Sequence, residues 1–90
     1  MTMTANNAPT DLKDGRVVAI AGPVIDVEFP RGALPELNTA LEFTVLIEGT
    51  PNVVLAEVAQ QLGNSRVRAV CMKPTDGLTR GTPVRNTGRG

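Results

Sequence analysis

Ninety residues with no formal net charge, two aromatic side chains (Phe29 and Phe43), one cysteine and no histidine describe one small domain with a thin aliphatic core. The lack of histidine excludes Ser–His and Cys–His nucleophile pairs and His-ligated zinc, and a lone Cys71 excludes an internal disulfide and fits a reducing compartment. Charge balance removes any global pull toward nucleic acid or acidic membranes, and no apolar run approaches the roughly 20 residues that span a bilayer.

In chain order, "MTMTANNAPTDLKD" is polar and small, with no basic start followed by an apolar stretch. It reads as a flexible tail over residues 1–14, not a signal peptide, with the domain occupying 15–90. "GRVVAIAGPVIDVEF" is rich in β-branched residues but broken by Gly22 and Pro23. Val18 and Ile20 sit at even positions before the break, while Ile25, Val27 and Phe29 sit at odd positions after it. Because strand side chains alternate with period 2, the change of parity predicts a bend at Gly22-Pro23 that keeps both halves on one core. "PRGALPELNTA" (30–40) is a connection with room for one loose helical turn. "LEFTVLIEG" then alternates, with Leu41, Phe43, Val45 and Ile47 on the inner parity.

"GTPN" (49–52) has the composition of a turn, and "VVLAEVAQQL" (53–62) reads as a strand, although Ala56 to Leu62 would also suit a helix. "GNS" (63–65) is a hairpin turn into "RVRAVCM", where Val67, Ala69 and Cys71 form the inner face and Cys71 is a buried, inert thiol. A turn-rich loop, "KPTDGLTRG", precedes a last short strand around Val84. Five or six short strands with regular turn signals and no firm helix predict an all-β fold, a small closed six-stranded barrel.

Charge is ordered along the chain. Between Asp26 and Glu57 the acids are Asp26, Glu28, Glu36, Glu42, Glu48 and Glu57 against Arg31 alone; from Arg66 onward the bases are Arg66, Arg68, Lys73, Arg80, Arg85 and Arg89 against Asp76 alone. Two outcomes stand open: cross-strand pairing within the chain, or opposite patches that meet neighbouring subunits. Asp26 and Glu28 share a strand face that could hold a hard cation, but the simpler reading is a solvated exterior. "RGTPVRNTGRG" carries arginines and glycines without any aromatic after Phe43 for bases to stack on. "TGRG" has no following helix, and no G-x-x-x-x-G-K-[ST] loop is present to cradle a phosphate. Catalytic, cofactor-binding and metal-binding residues are therefore assigned nowhere in the chain.

The blocks "GRVVAIAGPVIDVEFPRGALPEL", "LAEVAQQLG", "VR", "DGLTRG" and "NTG", in this order, resemble the N-terminal region of the catalytic β subunit of F-type ATP synthases over about residues 15–88. The resemblance implies a six-stranded barrel in the crown of a ring of alternating α and β subunits, with α subunits as its flanking partners. It further implies a complete subunit that synthesises or hydrolyses ATP coupled to proton transport. That complex would lie on the cytoplasmic face of a membrane as a peripheral assembly of bacterial type, without nucleic acid and without insertion of this domain. The family's P-loop, catalytic glutamate, ATP/ADP and Mg sites and helical domain fall past the point reached by Gly90, so this chain contributes assembly and no catalysis. Glu28, Glu57, Arg66 and Arg68 are the expected interface residues. A freestanding barrel module that binds nucleic acid or peptide is the alternative.

Overall fold

The computed structural model describes residues 13–90. The expected tail over 1–14 falls almost wholly outside that range. Six strands form in chain order: β1 (Gly15–Ala21), β2 (Val24–Glu28), β3 (Ala40–Ile47), β4 (Thr50–Gly63), β5 (Arg66–Cys71) and β6 (Pro83–Asn86). They close antiparallel in the order β1-β2-β5-β4-β3-β6, a six-stranded barrel in which β6 completes the circle between β3 and β1. Closure leaves no row of unpaired backbone groups at a sheet edge.

Gly22-Pro23 is a reversal of direction and not the bend expected from the sequence. Ala21 stands opposite Val24 and Ile20 opposite Ile25, so β1 and β2 form a hairpin with a two-residue turn. Gly22 has φ +60° and proline follows, the pattern of a type II′ turn with glycine in its first central position. Opposite residues share a face, and across a two-residue turn an even-numbered residue meets an odd-numbered one. The change of parity between Ile20 and Ile25 therefore needs no corner. The true irregularity is a bulge in β1, where the register shifts between Val17 and Ala19. The extra residue turns Val17, an odd position, inward opposite Val27, and both are buried.

Two further hairpins differ in detail from expectation. The β3–β4 turn is Glu48-Gly49, with φ +51° and +80°, and Thr50, Pro51 and Asn52 already pair in β4 instead of forming a turn. The β4–β5 turn is Asn64-Ser65, with φ +54° and +62°, close to the predicted position. Positive φ at both central residues is the type I′ geometry that suits the natural twist of paired strands. Between β2 and β3 there is no helical turn. Ala33 N–H donates to Pro30 O and Thr39 N–H to Glu36 O, which makes two successive β-turns. The segment open to a helical reading, Ala56 to Leu62, is strand throughout.

The interior is filled as the alternation requires. Ile25, Val27, Leu41, Val54, Val58, Val67 and Val84 are all fully enclosed, with Phe29 and Phe43 packed among them. Val67, Ala69 and Cys71 line it from β5 as expected. Ile47 does not: it stands 46% exposed at the tip of the β3–β4 hairpin, although it shares the inner parity of Leu41, Phe43 and Val45.

Candidate interaction surface

A barrel packed solid offers chemistry only on its outside, and the outward parity of each strand decides what is displayed there. The segregated charges of the sequence meet across strands. Arg68 on β5 lies opposite Asp26 on β2 and grips it with two bonds, Nε to Oδ1 at 2.9 Å and an Nη2 contact to Oδ2 at 3.2 Å. The Arg68 guanidinium is held above its ordinary pKa first by that hydrogen bond and then by the carboxylate's charge. Arg66 lies opposite Glu28, with Nε 3.7 Å from Oε2, and Arg85 on β6 reaches Glu42 on β3 at 2.6 Å. Acidic strands of the first half are thus seated beside basic strands of the second. Such exposed pairs add little to stability, but they favour this register over its neighbours.

Of the four expected interface residues, the fold brings three together. Glu28, Arg66 and Arg68 occupy adjoining positions on the β2–β5 seam, where Glu28 and Arg66 form a loose, exposed ion pair and Arg68 is engaged by Asp26. Glu57 lies on the next strand round, β4, exposed, beside Val70 of β5. It enters no ion pair among the described residues. Three arginines of the C-terminal half are matched by carboxylates in this way, so their charges do not form a basic groove.

The alternation of the strands also places large apolar residues outside, a feature the sequence reading passed over. Leu46, Val53, Leu55, Val70 and Met72 all face solvent. A signal was available: each occupies or, for Met72 just past β5, continues the parity that carries charge on its strand, as Val70 follows Arg66 and Arg68, and Leu55 precedes Glu57. These residues lie in the half of the barrel that holds the Gly22-Pro23 and Glu48-Gly49 turns. Val70 and Val24 are register partners, and Met72 N–H donates to Leu55 O at 2.8 Å, so the apolar positions join into one band over β4, β5 and β2.

Among the described residues, the four main depressions of the surface hold no convergent set of reactive groups. One of about 540 Å³ is lined by Asp14, Arg16, Glu28, Phe29 and Pro83 among others, where the only charged side chains are two carboxylates and one arginine. Among the described residues, no group of three Asp, Glu or Cys side chains is placed to hold a metal ion. Cys71 is buried, and desolvation pushes its thiol pKa up, away from the reactive thiolate.

Fold and surface together define a small antiparallel β-barrel domain with a filled interior and a partly apolar exterior. Residues 17–88 match the family model described as the ATP synthase alpha/beta family, beta-barrel domain. The chain belongs to that family.

Proposed function

We propose that this chain is the ring-forming barrel of the β subunit of an F-type ATP synthase, and that it holds alternating α and β subunits together. The observation that carries this reading is the family match over residues 17–88, joined to a closed barrel whose exterior bears an apolar band. The blocks "AEVAQQLG" and "DGLTRG" favour the β subunit over the α subunit. Mechanically, a closed barrel has no loose edge and few soft deformations, so a ring of barrels serves as a stiff collar while attached domains move.

In this reading the complete subunit makes or hydrolyses ATP coupled to proton transport, within a peripheral complex on the cytoplasmic face of a membrane. Nucleotide and magnesium belong to its nucleotide-binding domain. Among the described residues there is no helix whose N-terminus could cradle a phosphate. Glu28, Glu57, Arg66 and Arg68 orient the neighbours.

The test is assembly. The chain should bind an ATP synthase α-type subunit saturably in sedimentation velocity, and a wild-type chain that never co-sediments would defeat the reading. Reversing Arg66 and Arg68 to glutamate should weaken that binding while the far-ultraviolet spectrum stays that of a β-barrel. Undiminished binding would remove these two arginines from the interface.

A further inference from the structure

Among the described residues one polar side chain is buried: Asn86, 7% exposed at the end of β6. Half of its amide is in use. Oδ1 accepts the Gly88 N–H at 2.9 Å, which also fixes which way round the amide sits. Nδ2 donates to nothing among the described residues. A buried N–H group without an acceptor is costly, and a ligand that brings one lifts that cost.

Asn86 stands in the wall of a depression of about 310 Å³, together with Leu34, Pro35, Glu36, Thr39 and Gly88. Those walls are fixed by the chain's own bonds. Gln61 Nε2 donates to Pro35 O at 3.0 Å, Thr39 N–H to Glu36 O at 3.2 Å, and Val58 N–H to Thr39 O at 3.0 Å. Beside Asn86, Thr87 Oγ1 donates to Ala40 O at 2.6 Å. With these backbone groups engaged, the Asn86 Nδ2, the Thr39 hydroxyl and the Glu36 carboxylate are left to meet a ligand. Leu34, packed against the core, and Pro35 supply the apolar part of the wall. A site held in shape this way spends little on ordering itself when it binds.

The three groups select by chemistry. Nδ2 requires an acceptor, whereas the Glu36 carboxylate requires a donor. A simple anion is repelled by Glu36, and a simple cation leaves Nδ2 unmatched. A trans peptide group carries a carbonyl oxygen on one edge and an N–H on the other, so a single one bridges two walls. We propose that this depression binds a main-chain peptide group of a partner protein segment, its carbonyl oxygen accepting from Asn86 Nδ2 and its N–H donating to Glu36 or Thr39. The site lies where β6 ends beside the start of β3, at the rim opposite the apolar band, and it does not depend on ring assembly.

The test titrates the chain with N-acetylglycinamide, a soluble carrier of peptide groups, and follows proton–nitrogen correlation spectra. The Asn86 side-chain amide and the Gly88 backbone amide should shift together and saturate at millimolar probe. Acetate, an acceptor with no donor, should leave both in place. Asn86→Asp keeps an oxygen for the Gly88 N–H but removes the donor, and should lose about tenfold in affinity. Glu36→Ala, at an exposed position, should also weaken binding, and it reports on the site should Asn86→Asp fail to fold. Shifts that never saturate mean that water alone meets Nδ2, and they overturn the inference. So do equal responses to acetate and to the probe, or a Glu36→Ala chain that binds as tightly as wild type.

Discussion

Single residues carry identifiable strain and close fits. A Cβ added at Gly15 would lie 2.6 Å from the Glu28 carbonyl oxygen and 2.9 Å from the Phe29 ring, so the glycine is required by the close approach of β2. Gly15→Ala should cost about 1–3 kcal/mol in a denaturant titration, the usual penalty for overpacking. Glu48 and Ser65 pose the opposite case, since both hold positive φ with a side chain attached. Left-handed backbone costs a non-glycine residue about 1–2 kcal/mol, partly offset by the entropy glycine loses on folding. Glu48→Gly and Ser65→Gly should therefore each stabilise the domain by about 0.5–1 kcal/mol, read as a higher denaturant midpoint with an unchanged slope. Cys71 sets a pH dependence. Its thiol pKa is raised in the folded state above the ordinary 9.0, so the unfolded chain loses that proton first as pH climbs. The contribution is intact below pH 9.0 and declines above it. Cys71→Ala should flatten that alkaline decline, and identical alkaline profiles for variant and wild type would refute the assignment.

At the scale of elements, alternation made the strands legible while their turns were read less well. The inner faces of β3 and β5 follow from period 2 alone, because Leu41, Phe43, Val45, Val67 and Ala69 can all be buried on one parity. Turn positions depend on which two residues accept positive φ, and composition misleads there. Thr50 and Pro51 look like turn residues, yet the reversal falls on Glu48-Gly49. The β1 bulge was hidden for a similar reason: consecutive apolar residues from Val17 to Ala21 give no polar marker of where the register slips. The shortest element is also the closing one. β6 has two register pairs with β1 and two with β3, and Val84 is its fully buried anchor. Val84→Ala should cost about 1–3 kcal/mol through the cavity it leaves. In native-state hydrogen exchange the strand amides of β6 should open before those of β4 and β5.

For the whole molecule, charge order along the chain became charge pairing around the barrel at Asp26, Glu28 and Glu42, the first of the two outcomes that the sequence left open. The outer apolar band went unread because a strand sequence says which residues share a face, but not which strands will lie side by side. Leu55 and Met72 are distant in sequence and become neighbours only when β4 pairs with β5. Strand direction has one more outcome. β1 starts opposite Val84 and β6 runs back past it to Asn86, so the polypeptide enters and departs at a common rim, with Thr87 Oγ1 fastened to the Ala40 carbonyl oxygen there. Gly15 and Asn86 thus stand at one rim of the barrel, and Gly22-Pro23 turns at the other. A circular permutant that joins Gly88 to Asp14 through a short linker and opens new ends between Glu48 and Gly49 should therefore keep the same architecture, read as an unchanged far-ultraviolet spectrum and a single cooperative denaturant transition.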